Sequence, residues 1–251
     1  MEMYDNLGHV EDTFNEENLS ECLKAAQRAE FAELEKILQS FEKPVDILDI
    51  GIGDARIVRL IVARPALWEK VGSYHGVDVA QNCIDISEKT IAELGVGDKV
   101  SAQLLDAMNL DCLKRKFDLI ISTWFTVGNF YPTNFDFASF KPGYDMTTND
   151  KFTTIFRKAY ALLKPGGEIV IGSMYIDNDD TRKKQEESYR NFGWTVITDE
   201  RDCFTATKDG WWSQRFTKQR LYDYLDFIPR ERISFTPLDA YDYAMMVRIK
   251  K

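Results

Sequence analysis

Residues 45–56 read Val45-Asp46-Ile47-Leu48-Asp49-Ile50-Gly51-Ile52-Gly53-Asp54-Ala55-Arg56. The apolar run predicts a buried strand, the two glycines a sharp turn, and Ile57 to Ala63 an apolar helix. Gly51 and Gly53 leave room for a ligand against the main chain, and the helix start aims free N–H groups at that space. A dinucleotide would suit such a turn, but two residues argue against it. The G-x-G-x-x-G pattern needs glycine or alanine at position 56, where this chain has Arg56. Asp49, at the strand end, would oppose a pyrophosphate and suit an ammonium or sulfonium group.

Downstream, strands and helices alternate. Strands are expected at Tyr74–Val79, Val100–Leu105, Phe117–Thr123 and Glu168–Ser173, with helices at Ala80–Leu94, stopped by Gly95, and at Lys151–Leu163, capped near Asn149 or Asp150. This pattern implies a mostly parallel sheet with helices on both faces. Upstream, Leu19, Leu23, Ala26, Leu34, Ile37, Leu38 and Phe41 form a helical stripe, with Thr13 and Glu16, or Asn15, as its cap. Beyond residue 173, Asp179 is expected to cap a charged helix. Lys208-Asp209-Gly210 signals a hairpin turn, Thr217–Asp226 a helix, and Arg232–Phe235 with Tyr243–Ile249 two closing strands. No internal repeat or low-complexity tract interrupts the chain.

In order along the chain, the Asp49–Gly53 turn is followed by Gly76-Val77-Asp78, Leu105-Asp106-Ala107-Met108, Phe117-Asp118-Leu119-Ile120-Ile121-Ser122 and Leu163-Lys164-Pro165-Gly166-Gly167-Glu168. Together these resemble the motifs of class I S-adenosylmethionine-dependent methyltransferases, over roughly residues 45–173. The resemblance implies an α/β fold: a doubly wound, mostly parallel seven-stranded sheet with helices on both faces and an antiparallel last strand. An N-terminal helical lid (1–43), a cofactor-binding core (44–178), a helix-and-hairpin insertion (179–216) and a closing segment (217–251) would make one domain. It also implies roles. Gly51 and Gly53 would make room for the methionine portion of S-adenosyl-L-methionine, and Asp49 would hold its amino group. Asp78, with Val79 beside it, would serve two ribose hydroxyls. Asp106 and the Ala107 backbone would meet adenine, and Ser122 would lie near the sulfonium. S-adenosyl-L-homocysteine would be the product.

The methyl acceptor is less legible. The segment from Trp124 to Asn149 is rich in aromatics, with Trp124, Phe125, Phe130, Tyr131, Phe135, Phe137, Phe140 and Tyr144. It is long and aperiodic, yet too aromatic for disorder. Because it follows the fourth strand, Trp124, Phe125 and Tyr131 are expected to wall the acceptor pocket, with Trp211 reaching it from the hairpin. About half of the rings are expected simply to pack. Tyr131 and Asn129 are placed to orient an acceptor, and His9 in the lid is the candidate base, with Tyr4 and Phe14 as lid residues. His75 falls inside a strand and reads as structural.

The 251 residues, 44% hydrophobic and 29% charged, fit a globular chain, and the net charge of −9 disfavours nucleic acid as a substrate. No apolar run approaches the ~20 residues of a membrane span. The acidic start lacks a signal-peptide pattern, and the four scattered cysteines suggest reduced thiols. The reading is thus a cytoplasmic enzyme that needs no metal and methylates oxygen or nitrogen of a small molecule. A transferase acting on a protein side chain or using another adenosyl donor is the first rival; a binding protein that keeps the cofactor pocket without turnover is the second. Oligomeric state stays open.

Overall fold

The computed structural model describes residues 14, 15, 17, 19–238 and 242–251. The expected cap residues Thr13 and Glu16 lie outside these. Helix α1 (Glu21–Ser40) begins later than the stripe suggests, because Ser20 caps it, accepting the Leu23 N–H at 3.3 Å. Its buried face runs Leu23, Ala26, Glu30, Phe31, Leu34, Ile37, Leu38, a helical stripe that includes one carboxylate. Strand β1 (Val45–Ile50) leads through the glycine turn into α2 (Arg56–Val62) and α3 (Pro65–Trp68). Strand β2 (Val71–Asp78) and α4 (Gln81–Leu94) follow, and Gly95 closes α4 in the left-handed region at φ 65°.

Strand β3 (Val100–Leu104) and β4 (Phe117–Ser122) flank a short 3-10 turn, Ala107–Cys112. Helix α5 (Asp150–Leu162) is capped by Asn149 and runs into β5 (Leu163–Ile176). Pro165-Gly166-Gly167, which precede the strand expected at Glu168, sit inside this longer strand. The pairing with β4 jumps from Phe117–Leu163 to Leu119–Glu168, so residues 164–167 bulge out, with Gly166 at φ 78°. Helix α6 (Asp179–Asn191) is capped by Asn178 rather than Asp179. The hairpin of β6 (Phe204–Ala206) and β7 (Trp212–Phe216), helix α7 (Lys218–Tyr224), and strands β8 (Ile233–Pro237) and β9 (Ala244–Lys250) complete the order.

Along the sheet the strands lie β3-β2-β1-β4-β5, then β9, then β8. Pairing is parallel from β3 to β5, while β9 runs antiparallel to both β5 and β8. These seven strands form the doubly wound sheet the motifs imply, within a sheet of nine. Alternate residues sort to opposite faces: Ile47, Leu119, Ile121 and Val170 pack with α1–α4, while Leu48, Ile50, Ile120 and Ile169 pack with α5 and α7. The β6–β7 hairpin adds to the same sheet in a specific place. Tyr175 of β5 faces Ala244 of β9 on one edge and Arg215 of β7 on the other, the edge that β4 occupies only as far as Ile171. The hairpin therefore continues the line of β4 beyond its carboxyl end.

Asn149 ties three pieces of this region together. Its side chain accepts the Phe152 N–H at 3.0 Å and donates to the Phe130 carbonyl at 2.6 Å and to Gln214 at 3.2 Å. Asn149→Ala should therefore lose the helix cap and leave buried partners unpaired, lowering unfolding stability by about 1–3 kcal/mol. Urea denaturation checks this; an unchanged midpoint would show that the cap is redundant.

Candidate active site

Strand order reverses between β1 and β4, and ligands in open α/β sheets bind at such a switch point. A cavity of about 490 Å³ opens there, within the size range of small-molecule sites. The loops at the carboxyl ends of β1–β4 form its floor, and α1 covers it.

The glycine turn is built differently from its sequence reading. Gly51 has φ 84° and Gly53 φ 55°. A Cβ on Gly51 would collide with the Thr126 side chain, and one on Gly53 would meet Phe14 at 3.1 Å. The missing side chains thus admit neighbours of this chain, although both glycines still line the cavity. The N–H groups are committed as well. Gly51 N–H and Ile52 N–H donate to Val77 O at 2.8 and 3.1 Å, and Gly53 N–H donates to Asp78 Oδ2 at 3.1 Å. The Arg56 N–H, at the start of α2, goes to Asp54 Oδ1 at 3.2 Å. The N–H groups of Gly51, Ile52, Gly53 and Arg56 are therefore satisfied internally.

Asp78 stands at the end of β2 on the cavity wall. Its other oxygen accepts the Ala80 N–H at 3.1 Å, so each oxygen keeps an acceptor position beyond its backbone bond. Burial raises its pKa, opposed by the N–H groups of Ala80, Gly53 and Val79. Val79, Asp106 and Ala107 also line the cavity. Asp106 caps the 3-10 turn, accepting the Met108 N–H at 2.8 Å.

Asp49 is not at the wall. It is 2% exposed and lies beneath the turn, with the Tyr74 hydroxyl donating to Oδ2 at 2.5 Å and Oδ1 unpaired. Burial pushes its pKa up to about 7, with Asp78, Glu30 and Asp54 adding to the rise and the Tyr74 bond opposing it. Ser122 is buried too and donates to Ile50 O at 2.8 Å, stitching β4 to β1. Strand-end position thus placed both residues in the right region, but their side chains point into the protein.

The aromatic segment divides. Trp124, Phe130 and Tyr131 line the cavity, together with Asn129. Phe125 does not; its φ of 59° turns the ring away to stack on Tyr175 at 4.1 Å. Phe135 packs with Phe204 and Trp212 of the hairpin, and Trp211 stacks on Trp194 at 4.3 Å. The expectation that Phe125 and Trp211 reach the pocket is corrected by this packing. His9 and Tyr4 lie outside the described residues. His75 stands in β2 with its ring nitrogens 2.9 Å from Ser101 Oγ and 3.1 Å from Gln103 Oε1.

Several lining residues escaped the sequence reading. Glu30 and Phe31 reach the cavity from α1, and Lys151 reaches it from α5, with its ammonium 4.9 Å from the Tyr131 ring centre. Glu30 carried a readable signal, a carboxylate at i+4 from Ala26 and i−4 from Leu34 on an apolar stripe. Lys151 carried none. Arg56 lies 3.9 Å from the Asp54 carboxylate, which Arg59 engages more closely. Arg56 instead donates to Phe14 O at 3.1 Å and covers the Trp124 ring at 4.4 Å.

The comparisons agree with this architecture. A family described as methyltransferase domain matches residues 41–227. A curated relative, the biotin biosynthesis bifunctional protein BioHC of Teredinibacter turnerae, is 24% identical over 129 residues, 51% of this chain. The match spans only 19% of that relative's length. Among solved structures, magnesium protoporphyrin IX methyltransferase from Synechocystis, with bound S-adenosylhomocysteine, is similar with a TM-score of 0.58 at 11% identity, covering 99% of this chain and 96% of that one. A putative rRNA-methylase from Clostridium thermocellum gives a TM-score of 0.53 at 15% identity, covering 88% and 97%. This chain belongs to the methyltransferase domain family, and its strand order and glycine turn are those of the class I, Rossmann-like, S-adenosylmethionine-dependent methyltransferases.

The buried Asp49 carboxyl gives a pH test. Its folded pKa of about 7 lies above the model-peptide value of about 3.9, so the folded state holds this proton more tightly than the unfolded chain. Its contribution to stability is complete below pH ~4 and is lost as pH rises through ~7. Asp49→Asn keeps an acceptor for Tyr74 and removes the ionisation. Its stability relative to the parent should improve across that window and level off above it. Parallel pH profiles of the two proteins by urea denaturation would contradict this assignment.

Proposed function

We propose that this protein transfers a methyl group from S-adenosyl-L-methionine to an oxygen or nitrogen of a small molecule. The observation that carries the reading is that Asp78 and Asp106 line the same cavity as Trp124, Asn129, Phe130 and Tyr131. The donor set fits the cofactor. Asp78 keeps acceptor positions for two ribose hydroxyls, Asp106 offers a carboxylate to the adenine amine, and Val79, half-exposed, offers an apolar surface. Three carboxylates around the turn, the buried Glu30 and Asp49 and the half-buried Asp78, favour a ligand with positive charge. When bound, the cofactor supplies an electrophilic methyl group. The chain's own work is to align the acceptor with it and to exclude water, which falls to the aromatic wall and to α1 above it.

Tyr131 and Asn129 orient the acceptor in this reading. Among the described residues no histidine lines the cavity. An amine that arrives neutral needs only positioning, while a hydroxyl acceptor also needs a proton acceptor. The net charge of −9 supports a small molecule over nucleic acid. Among the described residues no helix is long and apolar enough to cross a membrane, and a cytoplasmic location is part of the proposal.

Incubation with methyl-labelled cofactor and a metabolite extract tests the reading directly. Label on a small molecule supports it, label on protein favours the first rival, and binding without transfer favours a regulatory role. Two substitutions divide the site. Asp78→Ala should weaken S-adenosylhomocysteine binding by about 1–3 kcal/mol, and the parent protein should prefer that ligand over NAD by about 100-fold. Calorimetry showing equal affinities in either comparison would reject the cofactor assignment. Tyr131→Ala should leave cofactor affinity nearly unchanged but slow transfer, since even ~1 Å of misplacement can cost on the order of 100-fold in rate. A folded variant turning over at the parent rate would reduce this wall to a cover.

A further inference from the structure

The β4–β5 ladder ends at the pair Ser122–Ile171, and β5 loses its regular pairing with β9 between Ile171 and Met174. Two backbone donors are left there, the N–H groups of the half-buried Trp124 and the buried Ser173. Neither has a strand partner, and a buried donor without one is costly. Both donate to a single side chain, Glu30 of α1. The Trp124 N–H lies 3.0 Å from Oε2 and 3.3 Å from Oε1, and the Ser173 N–H bonds to Oε2.

The socket for this carboxylate is shaped by a glycine. A Cβ on Gly172 would collide with the Glu30 carboxylate, approaching its Cδ to 2.8 Å. Glu30 is 2% exposed yet lies along the cavity. The turn it holds is strained, because Trp124 and Phe125 are consecutive non-glycine residues at φ 56° and 59°. That turn decides which ring faces the cavity: Trp124 lines it, and Phe125 points to Tyr175. Glu30 also lies upstream of the stretch matched by the family, residues 41–227.

We infer that Glu30 is a positioning residue for the acceptor side of the site: its carboxylate replaces the missing strand at the ends of β4 and β5 and fixes the turn that presents Trp124. It makes the covering helix α1 part of that wall's construction. The inference rests on the reading of this cavity as the transfer site, but the adenosine end, at Asp78 and Asp106, does not depend on Glu30.

The test uses the full chain with Glu30→Ala and with the isosteric Glu30→Gln, which retains one acceptor oxygen. Amide hydrogen exchange should accelerate at Trp124 and Ser173 by on the order of 10- to 100-fold in Glu30→Ala, the loss expected for bonds to a charged acceptor, with Ile120 and Val170 unchanged. Glu30→Gln should restore part of the protection. With 5-fluorotryptophan incorporated, the fluorine resonance of Trp124, assigned with Trp124→Phe, should shift or broaden in Glu30→Ala and return toward the parent position in Glu30→Gln. Binding of 5′-methylthioadenosine, which keeps the adenine and ribose but lacks the amino-acid tail, should stay within about threefold of the parent in both variants. Parent-like exchange at both amides together with a parent-like Trp124 resonance would overturn the inference. So would a uniform rise in exchange across β4 and β5, which marks a merely structural role. Failure of the parent protein to bind 5′-methylthioadenosine or S-adenosylhomocysteine would instead count against the proposed function, and the exchange data would still report on Glu30.

Discussion

Where β1 and β4 part at the switch point, the sheet stops supplying hydrogen-bond partners while the chain is still buried. Each backbone group freed there needs a substitute, because an unpaired buried donor or acceptor costs about 1–3 kcal/mol. Side chains provide them. Asp78 takes the Gly53 and Ala80 N–H groups, Ser122 gives its proton to Ile50 O, Asp106 takes the Met108 N–H, and Glu30 takes those of Trp124 and Ser173. The carboxylates that furnish the site are therefore also the groups that close the backbone account at the ends of the strands. In the function proposed for this cavity, the same atoms serve fold and site.

That solution concentrates negative charge. Glu30, Asp49 and Asp78 are all shifted upward, in each case chiefly by burial, and Asp49 feels Asp78 and Glu30 in addition. Such a cluster is tolerated because each carboxylate has at least one donor aimed at it. The aromatic residues meet a different constraint. Apolar area beyond the sheet must be covered by something, and the β6–β7 hairpin lies in line with β4 to take it. Phe135 and Trp212 sit there with ring centres 4.4 Å apart, and the hairpin's Phe204 stacks on Trp212 at 3.7 Å. Only the first part of the aromatic segment, from Trp124 to Tyr131, is left for the cavity.

The alternation of strands and helices, the sheet class, and the placement of Asp78 and Asp106 at strand ends were legible in the sequence. Each rests on local rules: apolar periodicity, glycine turns, caps and the order of motifs along the chain. Even the errors at this level were small, such as Asn178 rather than Asp179 as the cap of α6. Which way a side chain points after a strand ends is not a local property. Asp49 turned under the glycine loop to meet Tyr74, and Phe125 turned away from its neighbour Trp124 because two left-handed residues in succession rotate the chain. Glu30 joined the site by bonding to residues 94 and 143 positions away. The local sequence around Glu30 contains neither the broken ladder nor the Gly172 socket, so only the tertiary structure decided that this carboxylate belongs to the site.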